Sequence, residues 1–252
     1  MKLENVIAIR PTKTVYRDGD VIIKVFNEEY STSDVLNEAL NHARIEETGL
    51  KIPKFKEVLK IDGKWAIVNE YIEGKTLASL MEENKDNEEK INEYLDRFVS
   101  LQLEIQSKHS PLLTKLRDKM RRKIELTGLD ATTRYELNAR LESTPRHNKI
   151  CHGDYNPSNI IVTDNDEWYV IDWAHATQGN GGEDAARAYL LFSLAGKNDI
   201  AKKYLNIYCK KSDTARQYVE RWLPIVAASQ LTKGIKEERD FLMNWVDVVE
   251  YE

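Results

Sequence analysis

Asp154 and Asp172 bracket a stretch that reads as a hairpin, and Asn159 stands five positions after the first of them. One short region therefore gathers three side chains whose oxygens can ligate a hard cation or exchange protons. Magnesium favours such a set, with one or two carboxylates completed by substrate phosphates and water. Loops held by buried strands are also where catalytic side chains concentrate, because the scaffold fixes them. A purely structural reading stands beside this one. Asp154 and Asn159 also suit turns next to Gly153 and Pro157, and Asp172 suits backbone satisfaction at a strand end. A second feature lies upstream, where Lys24 interrupts the apolar run Val21–Phe26. A buried ammonium needs a partner, and Glu38 on the following segment is available to it. The alternative is an outward-facing lysine, with Glu38 one of several acids on that segment alongside Glu46 and Glu47.

The elements that must position these residues are legible in outline. From residue 6 to about 70 the pattern is rich in strands, with 15–17 and 21–26 flanking Asp18-Gly19-Asp20 as a hairpin. Ser31-Thr32-Ser33-Asp34 offers N-cap chemistry for a helix whose apolar stripe runs Val35, Ala39, Ala43 and Ile45, with Gly49 as its stop. Two further strands, about 55–61 and 65–71, join at Asp62-Gly63. After Gly74 the period changes to helical, at 77–83 and then along Ile91, Tyr94, Leu95, Phe98, Leu101 and Ile105. Helices are expected at about 112–126 and 132–141, and a short strand ends at Cys151. Residues 160–162 and 168–171 read as a hairpin around Asp164-Asn165-Asp166, and the chain from Asp184 onward is helical with breaks near Gly196, Lys211 and Gly234.

Taken together, His152-Gly153-Asp154-Tyr155-Asn156-Pro157-Ser158-Asn159 and Ile171-Asp172-Trp173 resemble the catalytic loop and metal-binding segment of the aminoglycoside phosphotransferase and choline kinase superfamily. The resemblance runs in order across nearly the whole chain and is weakest over about 80–145 and after 210. It implies an α+β, two-lobed protein-kinase-like fold. A small N-terminal antiparallel-sheet lobe with one helix (1–73) would bind nucleotide, and a larger, mainly helical C-terminal lobe (74–252) would carry catalysis and the substrate. It further implies ATP and Mg²⁺ as cofactors and a small hydroxyl-bearing molecule, such as an aminoglycoside, amino alcohol or sugar, as acceptor. Asp154 would accept or orient the hydroxyl proton, while Asn159 and Asp172 hold Mg²⁺. His152 would brace the loop, and Asp184 would steady it or simply cap a helix. Lys24, paired with Glu38, would meet the nucleotide phosphates, and the backbone of Glu70 and Ile72 would form the adenine-binding edge. Ile9 to Tyr16 lacks the glycine-rich loop of protein kinases. Thr12 and Thr14 are candidates for phosphate contact there, or ordinary turn residues, with Lys13 assisting or solvated. No activation segment with the usual ending separates Asp172 from Asp184, which disfavours a protein kinase. A catalytically silent nucleotide-binding regulatory module of the same fold is the alternative function.

Composition narrows the classes further. The 252 residues are 31% charged and 41% hydrophobic, with two cysteines and a formal net charge of −5. This is a globular composition in which no apolar run reaches the ~20 residues that span a bilayer. A basic nucleic-acid-binding face is not expected, and neither is a signal peptide, so the expected location is cytoplasmic. The oligomeric state is left open. Lys115, Arg117, Lys119, Arg121, Arg122 and Lys123 make a local exception to the acidic balance. They read as a solvated helix face or as a contact for an acidic substrate. The acidic end, with Asp240, Asp247, Glu250 and Glu252, reads as an exposed helix face or as a contact for a polyamine.

Overall fold

A computed structural model describes residues 2–246. In chain order the elements are β1 (Asn5–Ile9), β2 (Lys13–Asp18), β3 (Val21–Phe26), α1 (Thr32–Glu46), β4 (Phe55–Ile61), β5 (Lys64–Glu70), β6 (Lys75–Thr76), α2 (Leu77–Glu83), α3 (Glu88–Ser107), α4 (Leu116–Glu125) and α5 (Ala131–Ser143). There follow β7 (Lys149–Cys151), β8 (Ile160–Val162), β9 (Trp168–Val170), β10 (Thr177–Gly179), α6 (Gly181–Leu194), α7 (Asn198–Ser212), α8 (Arg216–Glu220), α9 (Leu223–Leu231) and α10 (Arg239–Val246). Contacts group the chain into two compact units, Met1–Glu83 with Pro157–His175, and Asn84–Asn156 with Ala176–Glu252.

The first unit holds a five-stranded antiparallel sheet in the order β1-β2-β3-β5-β4. The β4–β5 hairpin turns at Asp62 (φ 49°) and Gly63 (φ 82°). Two consecutive positive-φ residues give the twist that adjacent antiparallel strands require. One apolar cluster is Ile23, Val25, Ala66 and Val68. A second joins Phe26 and Ile67 to Val35 and Ala39 of α1. Alternation along each strand separates the two clusters. Helix α1 begins where Ser31 accepts from the Asp34 amide, as the N-cap pattern predicts. Residues 74–83 and 157–175, which the pattern placed with the second lobe, pack within this unit because β6 pairs with β8 and β8 with β9.

The second unit is mainly helical, with β7 and β10 as a two-stranded ribbon. Its core is aromatic: the Phe98 ring lies 4.3 Å from that of Tyr155, 5.8 Å from Phe192 and 5.7 Å from Tyr204. Helix α6 is buried almost throughout, and its N-cap is Asn180, whose side chain accepts from the Gly182 amide. Capping of this helix therefore falls to Asn180, leaving Asp184 for another task. Among the described residues no helix is long and apolar enough to cross a membrane. Asp240 lies in the first turn of α10, whereas Asp247, Glu250 and Glu252 lie outside the described residues.

Candidate active site

In the first unit, register sets one face of the sheet. Lys13, Val15 and Arg17 of β2 stand opposite Phe26, Lys24 and Ile22 of β3, and side chains two apart share a face. Lys13, Lys24, Ile72, Asn159 and Asp172 all line one cleft of about 440 Å³. That volume is within the range of small-molecule sites. Lys24 Nζ donates to Glu38 Oε1 at 2.8 Å, and Lys13 Nζ lies 3.3 Å from both Glu38 oxygens. Asp172 Oδ1 completes the cluster, 3.5 Å from Lys13 Nζ and 3.7 Å from Lys24 Nζ. The Glu38 side chain is only 5% exposed, a burial tolerated because two ammonium groups face it. Burial alone would lower the Lys24 pKa, but the Asp172 and Glu38 carboxylates outweigh it and hold the group above its ordinary value. Lys24 is therefore a fixed positive charge at the cleft.

Asp172 has φ 65°, a left-handed conformation that costs a non-glycine residue energy and is characteristic of functional positions. The Ile171 amide donates to the Asn159 carbonyl at 2.9 Å, which ties the backbones around the two candidate metal ligands together. Asn159 and Asp172 offer a neutral and an anionic hard oxygen on one cleft. Such a donor pair fits Mg²⁺ that arrives with nucleotide phosphates to complete its shell.

Glu70 ends β5, where its carboxylate accepts from the Lys54 amide at 3.0 Å. The Tyr71 amide donates to Asp20 at 2.8 Å, and the Arg17 guanidinium lies 3.8 Å from the centre of the Tyr71 ring. Glu70 and Ile72 both line the cleft. Thr12 and Thr14 are not among its lining residues. Thr14 alternates with Lys13 and Val15 and so belongs to the other face of β2, while the Thr12 carbonyl accepts from the Asn27 amide at 2.9 Å. Lys13, read from sequence as solvated or assisting, is instead a full member of the ion cluster.

In the second unit, Asp154 sits on a loop braced from several directions. Its amide donates to His152 Nδ1 at 3.2 Å, so that nitrogen acts as an acceptor. His152 is fully buried. Gly153, at φ 77°, donates its amide to Asp184 Oδ1 at 2.8 Å. Asp184 Oδ2 accepts from Gln102 at 3.3 Å, and Gln102 in turn accepts from the Tyr204 hydroxyl at 2.6 Å. Asn156 donates to the Asp154 carbonyl at 2.9 Å and to its Oδ2 at 3.3 Å. Arg187 Nη2 lies 3.6 Å from Asp154 Oδ1. Sequence reasoning missed Arg187. Its position three residues after Asp184 places it on the same face of α6, a signal that could have found it.

Comparison with known proteins fits this arrangement. The family model described as phosphotransferase enzyme family matches residues 12–220. No curated protein matches the chain. A thermostable mutant of aminoglycoside phosphotransferase APH(4)-Ia is similar in structure, with TM-score 0.68 and 14% identity over 96% of this chain and 92% of that one. Choline kinase LicA from Streptococcus pneumoniae gives TM-score 0.63 and 19% identity over 97% and 92%. A ternary complex of an APH(4)-Ia mutant with AMP-PNP and hygromycin B gives 0.67 and 14% over 96% and 89%. At these identities the structural likeness is one of fold, and it is the fold expected from the motif resemblance. With the family match spanning most of the sequence, the chain belongs to the phosphotransferase enzyme family and has its protein-kinase-like fold.

Proposed function

We propose that the protein transfers the γ-phosphoryl group of ATP to a hydroxyl of a small polar molecule, with Mg²⁺ as cofactor. The observation that carries this reading is the four-membered ion cluster of Lys13, Lys24, Glu38 and Asp172 on the cleft that Asn159 also lines. The cluster's two lysines supply positive charge for phosphate oxygens, and Glu38 holds both in place. Asn159 and Asp172 would hold the metal, whose chemistry when bound would be to neutralise charge on the phosphates. Ile72 and the adjoining backbone of Glu70 provide the edge for the base. Asp154 takes the acceptor proton as the acceptor oxygen bonds to phosphorus and the bridging bond to ADP breaks, the electron pair leaving with ADP. Positioning and electrostatics supply most of the rate in such a reaction. The hygromycin B and AMP-PNP bound by a relative of this fold support a nucleotide and a hydroxyl-bearing acceptor here.

Calorimetric titration with nucleotide, with and without Mg²⁺, tests the nucleotide half of this reading. Mg²⁺ should tighten ATP binding to the wild type, and Lys24→Met should weaken binding by about tenfold or more, the scale of a charge-assisted contact. Binding indifferent to both would contradict it.

A further inference from the structure

The two oxygens of Asp154 face different donors. Arg187 of α6 is 5% exposed, and its Nη2 lies 3.6 Å from Asp154 Oδ1. At that distance the contact is one of charge rather than a hydrogen bond. Oδ2 instead accepts from the neutral side-chain amide of Asn156 at 3.3 Å. Behind Arg187 the contacts continue. Its Nη2 donates to Gln230 Oε1 of α9 at 2.9 Å, and Gln230 Nε2 donates to Glu238 at 2.7 Å. A line of polar contacts thus runs from Glu238 through α9 and α6 to the carboxylate of the loop.

This arrangement suits Arg187 poorly as a brace for the fold. A guanidinium carries five N–H donors in a rigid fork, yet the Arg187 Nε is buried and makes no hydrogen bond. Burying a guanidinium is costly, and an ion pair recovers that cost incompletely, so its presence is weak evidence for a stabilising role. What Arg187 supplies is local, a fixed positive charge beside Asp154. An opposite charge within about 4–6 Å favours the ionised form of a carboxylate. Other groups share the neighbourhood. Lys119 of α4 and Lys233 just beyond α9 also attract the Asp154 carboxylate. Glu183 and Asp184 of α6, with Glu238, balance these cations, and the Asp154 amide rests on His152. The group is a compensated ion network in which Asp154 stands opposite a guanidinium held from behind. A carboxylate so placed is a weak base but a well-oriented one. Phosphoryl transfer through a loose transition state asks for orientation more than for basicity.

We propose that Arg187 is a positioning residue for the transfer step: from α6 it holds the Asp154 carboxylate ionised and fixed, so that Asp154 orients the acceptor hydroxyl and takes its proton as the bond to phosphorus forms. This rests on the reading of Asp154 as the group that takes the acceptor's proton.

The test is transfer from Mg²⁺–ATP to a panel of aminoglycosides, amino alcohols, polyols and hydroxy acids, or to water as slow hydrolysis where none is accepted. Arg187→Met should lower kcat by about 10–100-fold, raise the acid limb of the kcat–pH profile by about one unit, and leave the KM for ATP unmoved. Arg187→Lys keeps the charge and should return the acid limb to its wild-type position with part of kcat. In an Asp154→Asn background Arg187→Met should add little, because the two side chains act as a unit. A fall in kcat with the pH profile unmoved, or an equal fall with and without the Asp154 carboxylate, would make Arg187 a support for the fold and overturn the proposal. Should Arg187→Met not fold, Gln230→Met decides, since it keeps both charged partners and removes the anchor of the guanidinium. A loss of kcat that disappears in the Asp154→Asn background supports the proposal, and no loss or full additivity overturns it. Failure of the underlying reading has a separate signature, Asp154→Asn as active as the wild type.

Discussion

Asp172 holds a left-handed backbone at φ 65° while its carboxylate faces two lysines. Asparagine tolerates that conformation about as well as aspartate, so Asp172→Asn isolates the charge from the backbone. The expected outcome is a folded protein whose nucleotide affinity no longer responds to Mg²⁺, measured by titration at several Mg²⁺ concentrations. Glu183 makes a different prediction, through pH. Its folded pKa, about 7, lies above its ordinary 4.5, so between those values the folded state binds the proton that the unfolded state has released. Stability from this group is therefore present below about pH 4.5 and falls as pH rises toward 7. Urea melts at pH 5 and pH 7 should show Glu183→Gln flattening that decline, by about 1–3 kcal/mol. The Lys24–Glu38 pair was legible because a lysine inside an apolar strand demands a partner. Arg187 and Glu183 were not, since a charged residue in a helical sequence signals solvent unless its face is known.

The elements were legible where their local chemistry was strong. The β4–β5 turn, the Ser31 cap and the stripe along α3 all rest on near-neighbour rules, and each expected element is present. The strands β6 and β10, of two and three residues, are too short to show a period, and only long-range pairing defines them. Gly74 shows what that pairing demands, because a Cβ there would collide with the Val162 carbonyl on β8. The obstacle is backbone and cannot swing aside. Gly74→Ala should destabilise the protein by about 1–3 kcal/mol, the scale of overpacking, as read from the denaturant midpoint. A midpoint unchanged from wild type would show that β6 yields without cost. In the second unit the relay from Tyr204 through Gln102 and Asp184 to the Gly153 amide links α7, α3 and α6 to the loop of Asp154. Gln102→Leu should lower kcat with little change in nucleotide affinity, since it loosens the loop rather than the cleft.

For the molecule as a whole, the net charge of −5 describes the surface average and hides both ion clusters, one gathered around Glu38 and one around Asp154. The motif pair gave the fold and the reaction class because its residues are close in sequence. The surroundings of Asp154 were out of reach because Arg187 comes from α6, which only the folded chain brings to that loop. The central claim is phosphoryl transfer to a hydroxyl with Asp154 taking the proton. It is tested most directly by ³¹P NMR of reactions containing the purified chain, Mg²⁺–ATP and the panel of hydroxyl compounds, run with wild type and Asp154→Asn. A new phosphate-ester resonance should grow with ADP in the wild type and be slowed about 10³-fold by the substitution, the usual worth of a positioned general base. An ester forming at equal rates in both proteins would contradict the account.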